Sequence, residues 1–233
     1  MKIALLGYGK MGQAIEKIAI ERGHSIVIKA KKDTKYDITT ADVAIDFSIP
    51  DSAVDNISNC LNKGVPVISG TTGWLDKYDD IVSICKENDG AFIYASNFSL
   101  GVNIFFELNK TLAKMMNTLK DYKVSMEEIH HTQKLDAPSG TAISLAEDII
   151  VEHQSYSNWK LENESNGTLP IIAKRIPEVP GTHIINYSSD VDTITIQHTA
   201  HSRQGFALGA VIAAEWIAGK KGVFTMKDVL NIG

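Results

Sequence analysis

The sequence predicts an α/β protein in which an N-terminal, Rossmann-type, doubly wound parallel sheet is joined to an α+β domain with a mixed sheet. A glycine-rich turn at residues 7–12 separates the first strand-like run from the first helical run. Strand-like and helical runs then alternate as far as residue 95, which is typical of a parallel sheet with helices on both faces. Beyond residue 170, strand-like runs follow one another across short turns, which favours antiparallel or mixed pairing.

The glycine-rich turn has the spacing G-x-G-x-x-G between a buried strand (2–6) and an apolar helical stripe (14–20). Strand, glycine turn and helix form the context of a dinucleotide site. Gly7 would allow the tight turn, Gly9 would let the backbone approach a pyrophosphate, and Gly12 would let helix and strand pack closely. The phosphates would then lie at the helix N-terminus. A tight turn without a ligand is the alternative interpretation. The six residues of the turn are Gly7, Tyr8, Gly9, Lys10, Met11 and Gly12.

The end of the second predicted strand (25–30) bears on the choice of cofactor. In a site that prefers NAD, an acidic residue closes this strand and binds the ribose 2′-hydroxyl. This chain has Lys31 and Lys32 there, with Asp33 just after them. Lysines suit the 2′-phosphate of NADP as point charges. We therefore expect NADPH, with NADH possible; the alternative is that both lysines are solvated in a loop.

Two further loops follow predicted strands 64–69 and 91–95. Ligands of doubly wound sheets bind at the carboxyl ends of the strands. We therefore expect both loops to line one cofactor cleft with the glycine turn, although each could be only a turn. The loop residues concerned are Gly70, Thr71, Thr72, Ala95, Ser96, Asn97 and Phe98.

The pattern changes after residue 99, so the sequence predicts a second domain. A long helix (100–119) and a strand (122–131) precede the run that carries the clearest chemistry. The polar run 153–169 is predicted to be a loop, and a final helix rich in small residues (207–218) is expected to return to the first domain. We predict a dinucleotide-binding domain over 1–98 and 203–233 and a second domain over 99–202. Unpaired strand edges in the second domain favour an oligomer.

The run Glu128 to Ala142 lies between a predicted strand and a predicted helix. It brings His130, His131 and Lys134 close in sequence to a Pro-Ser-Gly-Thr turn. Free N–H groups at the start of a helix attract anions such as carboxylates. Proton donors beside such a cradle suggest chemistry on a small acid. Alternatively, since neighbouring strand residues face opposite ways, one histidine could be structural and the lysine merely solvated.

Composition excludes several classes of partner. The 233 residues are 44% hydrophobic and carry a net charge of −5 with no basic run, so we expect no nucleic-acid partner. No apolar run approaches the roughly 18 residues of a membrane span. Cys60 and Cys85 have neither metal-site spacing nor a disulfide framework, and the chain enters a strand without a signal-like segment, so we expect the cytoplasm. His198 and His201 lack the partners of a typical metal site, and none is predicted.

Together these motifs resemble the dihydrodipicolinate reductase (4-hydroxy-tetrahydrodipicolinate reductase) family, over essentially the whole chain. The most specific part is Glu128–Ala142, and the supporting parts are 7–12, 70–73, 96–99 and 202–210. The resemblance implies that His130 donates or accepts a proton and that Lys134 is a second proton donor. It assigns His131, Gly140 and Thr141 to the substrate, and the turn at 7–12 with both loops to the cofactor.

The resemblance also implies the reaction. NAD(P)H would reduce a cyclic, unsaturated dicarboxylate in lysine and diaminopimelate biosynthesis after loss of its 4-hydroxyl. The second domain would bind this substrate and assemble a homotetramer. Lys31 departs from the acidic residue common in the family. Two other classes stay open, namely another NAD(P)-dependent small-acid reductase and a non-catalytic nucleotide sensor. Arg203 could reach a substrate carboxylate or could serve only as a linker residue.

Overall fold

The computed structural model describes residues 1–32, 34–163, 165–202 and 204–232. The chain divides into two compact units. Unit 1 comprises Met1–Asn103 and Gln204–Gly233, and unit 2 comprises Ile104–Arg203. Asp33 and Arg203, which bear on the expectations above, lie outside the described residues.

The regular elements follow one another as strands and helices with short connections. The strands are β1 (Lys2–Leu6), β2 (Ser25–Ala30), β3 (Val43–Asp46), β4 (Val67–Ser69), β5 (Ala91–Tyr94), β6 (Lys123–His130), β7 (Asn158–Leu161), β8 (Thr168–Arg175), β9 (Gly181–Ser188), β10 (Thr193–Ala200) and β11 (Gly222–Phe224). The helices are α1 (Lys10–Glu21), α2 (Pro50–Asn62), α3 (Tyr78–Glu87), α4 (Leu100–Met116), α5 (Gly140–Glu152), α6 (Gln204–Ile217) and α7 (Met226–Leu230).

Unit 1 is built on a six-stranded, wholly parallel sheet in the order β11-β5-β4-β3-β1-β2. Apart from Asp46 and Ser69 at their carboxyl ends, the central strands β3 and β4 are apolar, because both faces of the sheet are covered. One face packs against α1 and α6, through residues such as Ile15 and Val211, and the other against α2 and α3, through residues such as Ile57 and Ile81. Strand β1 lies between β2 and β3, so the chain continues from β1 to one side of the sheet and then crosses to the other side at β3. This strand order confirms the predicted doubly wound fold and places its switch point beside the glycine turn.

Unit 2 has a five-stranded mixed sheet in the order β10-β9-β6-β8-β7. Strand β6 pairs antiparallel with β9 and parallel with β8. Its side chains alternate, so Val124, Met126, Glu128 and His130 are buried on one face. The two apolar ones pack with α4 and α5, through residues such as Ala113 and Leu145. The buried face of β6 therefore carries two polar side chains, Glu128 and His130, at the carboxyl end of the strand.

The structure corrects several predicted boundaries. The run 153–169, predicted to be a loop, contains the edge strand β7 and the start of β8. Helix α4 ends at Met116 rather than 119, and a 3₁₀ turn at Leu75–Lys77 precedes α3. The short strand β11, which was not predicted, pairs with β5 at the sheet edge. Among the described residues, no helix is both long and apolar enough to cross a membrane.

Candidate active site

The glycine turn of unit 1 shows what each glycine permits. A Cβ built on Gly7, whose φ is +96°, would lie 2.1 Å from the carbonyl oxygen of Phe47. A Cβ on Gly12 would lie 2.5 Å from the carbonyl oxygen of Gly7. A Cβ on Gly9, by contrast, would meet no atom within 4 Å. Gly7 and Gly12 therefore serve packing within the protein, whereas Gly9 leaves open space beside the first turn of α1.

A cavity of about 590 Å³ lies next to this turn, at the switch point of the sheet. Both lysines that follow β2, Lys31 and Lys32, line it. Lys29 instead pairs with Glu16 at 2.5 Å, and the hydroxyl of Tyr8 donates to the same carboxylate. Among the described residues that line the cavity, Lys31 and Lys32 are the cations. Other residues on the wall are Gly7, Tyr8, Gly9, Ala30, Thr34, Tyr36, Phe47, Ser48, Ile49, Ser52 and Asn56.

Asp46, at the carboxyl end of β3, is fully buried and was not singled out from the sequence. It accepts hydrogen bonds from Ser48 Oγ (2.7 Å), Asn56 Nδ2 (3.0 Å), Ser69 Oγ (2.9 Å) and Thr71 Oγ1 (2.7 Å). Burial raises the pKa of Asp46, and these four hydrogen bonds oppose the rise. The carboxylate thereby ties the loops after β3 and β4 together beneath the cavity.

The loop after β4 is consequently held by its own side chains. Thr71 is buried, and besides donating to Asp46 its hydroxyl accepts from the N–H of Ser48 at 2.8 Å. The indole N–H of Trp74 donates to the Thr71 carbonyl at 2.6 Å. The Thr71 side chain is therefore engaged within the protein, while Gly70 is partly exposed and Thr72 is exposed.

The loop after β5 is likewise shaped from within. Phe98 is 1% exposed and packs on Phe47 with ring centroids 5.7 Å apart, so only its backbone can face a ligand. Asn97 Oδ1 accepts from the N–H of Ser99 at 2.8 Å. A Cβ on Gly209 of α6 would lie 1.7 Å from the Phe98 carbonyl oxygen. Ser96 is exposed and Ala95 partly so.

In unit 2, the end of β6 carries a buried carboxylate–imidazole pair. Glu128 is 0% exposed and His130 is 8% exposed. His130 Nδ1 lies 3.4 Å from Glu128 Oε2, within ion-pair distance but not oriented as a hydrogen bond. Burial alone would raise the pKa of Glu128, but interactions with His130, Ser139 and Arg175 outweigh it and lower that pKa to about 2. Glu128 is therefore ionised throughout the physiological range.

The same carboxylate also fixes the start of α5. The N–H of Ser139 donates to Glu128 Oε2 at 3.0 Å, and Ser139 Oγ caps the helix by accepting from the N–H of Ala142 at 3.2 Å. The Gly140 and Thr141 N–H groups belong to the first turn, where no intrahelical acceptor serves them. A Cβ on Gly140 would meet no atom within 4 Å. The helix thus begins at an exposed glycine, with N–H groups that have no partner within the helix.

Lys134 lies in the loop between β6 and α5. Its ammonium donates to both oxygens of Asp136, at 2.9 and 2.8 Å. The side chain of Lys134 is 22% exposed and that of Asp136 59% exposed, so a ligand can compete for this ammonium. His131 is partly buried, and its Nδ1 has no hydrogen-bond partner among the described residues.

Two residues from other strands complete this cluster, and the sequence analysis did not single out either. Arg175, at the end of β8, donates to Glu128 Oε1 at 3.0 Å. His183 of β9 is 6% exposed, and its ring centroid lies 5.2 Å from that of His130. Burial, followed by the neighbouring His130, lowers the pKa of His183 to about 4. His183 is therefore neutral at physiological pH.

His183 Nε2 lies 3.1 Å from Ser139 Oγ, within hydrogen-bond distance, and the same hydroxyl accepts from the N–H of Ala142. A hydroxyl has one proton and two acceptor lone pairs, so neutral His183 can pair with Ser139 in either tautomer.

Glu128, His130 and His183 also bring three possible metal-ligand atoms within 4.8 Å of one another, the only such group among the described residues. However, Glu128 already accepts from an arginine and a backbone N–H, and a guanidinium beside the carboxylate disfavours a cation. The cluster is accounted for by hydrogen bonds and ion pairs. His198 and His201 do not belong to it.

Comparisons with known proteins match this chain along its whole length. Residues 1–98 match the family model described as dihydrodipicolinate reductase, N-terminus, and residues 101–230 match the model described as dihydrodipicolinate reductase, C-terminus. A 4-hydroxy-tetrahydrodipicolinate reductase of Christiangramia forsetii is 57% identical over 99% of this chain and 98% of its own. One of Thermosipho africanus is 34% identical over 99% of this chain and 98% of its own.

Among solved structures, a dipicolinate-bound dihydrodipicolinate reductase from Paenisporosarcina sp. TG-14 has a similar fold. Its TM-score is 0.78 at 24% identity, and the match covers 97% of each chain.

Proposed function

The chain belongs to the dihydrodipicolinate reductase family, and from this membership we propose that it uses NADPH to reduce 4-hydroxy-tetrahydrodipicolinate to tetrahydrodipicolinate in lysine and diaminopimelate biosynthesis. The family's N-terminal domain is a nucleotide-binding Rossmann fold that uses NAD(P)H. The preference for NADPH over NADH, the roles of individual residues and the homotetramer are the finer parts of the proposal.

The geometry of unit 1 fits a dinucleotide. The space beside Gly9 would admit a pyrophosphate close to the backbone, and the first N–H groups of α1 would donate to it. When bound, the nicotinamide supplies the hydride. The residues proposed to hold the cofactor are Gly7, Tyr8, Gly9, Lys10, Met11, Gly12, Lys31, Lys32, Gly70, Thr71, Thr72, Ala95, Ser96, Asn97 and Phe98. Of these, Thr71 and Phe98 would act through backbone groups and loop shape, because their side chains are engaged elsewhere.

Lys31 and Lys32 support the preference for NADPH. Both line the cavity at the end of β2, where the ribose of the adenosine would lie. An ammonium stabilises a 2′-phosphate dianion more than a neutral 2′-hydroxyl. NADH would bind through the same turn without that contribution.

The single observation that carries the function is that, in unit 2, Glu128 and its partner Arg175 together contact His130, the N-cap Ser139 of α5 and the loop that carries Lys134. A planar dicarboxylate needs cationic and N–H donors for its two carboxylates. The N–H groups of Gly140 and Thr141 can bind one, and Lys134 together with His131 can bind the other. Since Lys134 is paired with Asp136, the substrate carboxylate would exchange for the Asp136 carboxylate on binding.

Proton delivery is the remaining chemical task of the protein. Hydride addition leaves negative charge on the neighbouring ring carbon or nitrogen, and a positioned acid can protonate it as the charge develops. His130, at the end of β6, would donate or accept that proton, and Lys134 would be a second donor. His130 ends β6 and Lys134 lies in the loop from β6 to α5, so we propose that a ring held at the N–H groups of Gly140 and Thr141 lies next to both side chains.

We propose further that the dinucleotide-binding domain comprises 1–98 and 203–233 and that 99–202 binds substrate and assembles a cytoplasmic homotetramer. Mixed sheets with free edges and exposed apolar side chains on unit 2, such as Ile172 and Ile194, support assembly through this unit.

A coupled assay tests the function directly. Dihydrodipicolinate synthase, pyruvate and aspartate semialdehyde generate the unstable substrate in the cuvette, and NADPH or NADH oxidation is followed at 340 nm. We expect turnover that depends on the synthase, with a lower KM for NADPH. Tight NADPH binding without synthase-dependent oxidation would instead indicate a nucleotide sensor and would reject the reductase proposal.

Single substitutions test the residue roles. His130→Ala and Lys134→Ala should each lower kcat about 10²-fold or more, because each removes a proposed proton donor. NADPH binding, followed by the quenching of protein fluorescence, should change less than twofold, since both residues lie in unit 2. Lys160→Ala removes an exposed lysine from β7 of the same unit and is the matched control. Wild-type kcat in both site variants would overturn the assignment.

A further inference from the structure

Glu128 is the point at which two parts of the proposed substrate site meet. Its Oε2 atom lies 3.4 Å from the ring of His130 and accepts from the N–H of Ser139 at 3.0 Å. Ser139 is the N-cap of α5, so the position of Glu128 determines where the Gly140 donors begin. The buried Glu128 carboxylate therefore contacts both His130, the proposed proton donor, and Ser139, which caps the helix whose first N–H groups are proposed to bind a substrate carboxylate.

Arg175 connects Glu128 to a third part of the proposed substrate site, the loop that carries Lys134. Its Nη2 atom donates both to Glu128 Oε1 (3.0 Å) and to the backbone carbonyl of Asp136 (2.7 Å). Its Nε atom donates more weakly to the carbonyl of Lys134, at 3.4 Å. The guanidinium thus links the buried carboxylate to the backbone on both sides of Leu135. Lysine, with one compact ammonium, cannot reproduce this planar set of bonds.

The strand register explains why this arginine is in reach. In the parallel pair β6–β8, Arg175 is the partner of His130, and the N–H of Ile176 donates to the His130 carbonyl at 2.8 Å. Arg175 therefore emerges where β6 ends and the Lys134 loop begins. A Cβ on Gly181 of β9 would lie 3.0 Å from His130 Nε2, so the imidazole is also confined from the other side.

Stability alone does not account for such a pair. Taking two charges out of water costs several kcal/mol per ion, and apolar replacement of a whole buried pair is often neutral or stabilising. Glu128 is completely buried, and the side chain of Arg175 is only 21% exposed. The alternative to a stabilising role is a positioning one, in which the pair fixes a geometry that an apolar core would not specify.

We propose that the Arg175–Glu128 ion pair is the positioning element that fixes His130, the Lys134 loop and the start of α5 in the relative positions that catalysis requires. Arg175 acts through the loop carbonyls, and Glu128 acts through His130 and Ser139. The inference rests on the proposed reductase function, and neither residue touches the reacting atoms.

The test separates geometry from stability by removing the charges singly and together. Arg175→Met leaves Glu128 buried without its cation and should destabilise the protein, whereas Arg175→Met combined with Glu128→Gln leaves no buried net charge. We expect the double variant to regain a Tm near that of the wild type. Its kcat/KM should nevertheless stay about 10²-fold low, because a misplacement of about 1 Å can cost that much.

Two further readouts and one further substitution distinguish positioning from folding. Arg175→Ala should gain activity when guanidinium chloride is added at tens of millimolar, because the free cation can reoccupy the gap between Glu128 and the loop. Binding of pyridine-2,6-dicarboxylate, measured by calorimetry, should weaken in the double variant, while NADPH binding should stay within twofold of the wild type. The Arg175→Lys variant keeps a positive charge but should still have a lower kcat/KM than the wild type, because an ammonium cannot make the same set of hydrogen bonds.

Lys110→Met is the matched control. It removes a cation whose Nζ lies 3.4 Å from Asp148, in an ion pair between α4 and α5 of the same unit but outside the cluster. We expect its kcat/KM to stay within twofold of the wild type and to gain nothing from guanidinium. An inactive wild type in the coupled assay would refute the proposed function. An active wild type with a double variant that recovers kcat/KM along with Tm would overturn the positioning role alone.

Discussion

At the scale of single residues, two glycines of the same turn should fail in different ways. A methyl group on Gly12 would collide with the Gly7 carbonyl, whereas one on Gly9 would enter free space. Gly12→Ala should therefore destabilise the fold by about 1–3 kcal/mol, the usual range for overpacking. Gly9→Ala should leave the Tm unchanged but weaken NADPH binding at least about tenfold, because the methyl would occupy the path of the pyrophosphate.

Thermal unfolding and fluorescence titration, run on both variants, check this prediction, and each variant serves as the control for the other. Equal losses of Tm in both, or NADPH binding unchanged in Gly9→Ala, would contradict the assignment of Gly9 to the cofactor.

The lysines that follow β2 give a second prediction at this scale. Combining Lys31→Glu with Lys32→Ala should raise the KM for NADPH by about tenfold or more, because a charge-assisted contact with the 2′-phosphate is lost and a repulsive charge is added. The KM for NADH should change by less than about threefold. Lys29→Ala is the control, since Lys29 pairs with Glu16 and does not line the cavity. Equal effects on both cofactors would reject the lysines as determinants of specificity.

Residues with a local signature could be found from the sequence, and residues without one could not. The glycines, His130 and Lys134 belong to short motifs whose spacing has a physical meaning. Arg175, His183 and Asp46 have no such motif. They reach their partners through strand pairing, because Arg175 and His183 lie on the two strands that flank β6. Which residues of β8 and β9 face Glu128 depends on a register that no local pattern specifies.

At the scale of elements, β9 couples the site to pH through His183. Its pKa is about 4 in the folded protein, lowered first by burial, compared with about 6.5 in an unfolded chain. Below pH 6.5 His183 therefore binds a proton in the unfolded chain but stays neutral in the folded protein until the pH approaches 4. The contribution of His183 to the free energy of unfolding is therefore fully present above pH 6.5. It decreases as the pH falls towards 4, by about 3 kcal/mol at most.

His183→Gln keeps an acceptor for the Ser139 hydroxyl and cannot titrate, so it should flatten the decline in unfolding free energy between pH 6.5 and 4. Glu128→Gln is the comparison, because the lowered pKa of Glu128, about 2, places its contribution in a different window, between about 4.5 and 2. Urea unfolding at a series of pH values measures both slopes. An unchanged slope from pH 6.5 to 4 in His183→Gln would refute the assignment.

The elements that sequence analysis missed share a physical cause. Strand β7 has four residues, is largely exposed and lies at the edge of its sheet, so it lacks the alternation by which a half-buried strand is recognised. Strand β11 has only three residues and completes the other sheet at its edge. Both are stabilised by a neighbouring strand that is already in place. The longer elements were predicted because each has an apolar pattern of its own.

At the scale of the whole molecule, the two faces of the sheet in unit 2 are unequal. Helices α4 and α5 cover the face that carries Met126 and Ile185. On the opposite face, Glu127 of β6 lies between Ile172 of β8, which is 41% exposed, and Ile184 of β9. Within the described part of unit 2, no helix packs on these two isoleucines. A partly apolar sheet face of this kind suits pairing with the same face of another copy, which gives a symmetric interface.

The homotetramer proposal then predicts the effect of one charge on assembly. Ile172→Glu should shift sedimentation velocity profiles from the assembled species to smaller ones, because the new carboxylate would have to be buried in the interface. Ile20→Glu is the control, since Ile20 is 56% exposed on α1 of unit 1 and lies outside the proposed interface. Its sedimentation should match that of the wild type. If Ile172→Glu also sediments as the wild type does, the oligomer is not built through this face, and the exposed isoleucines of the sheet need another explanation.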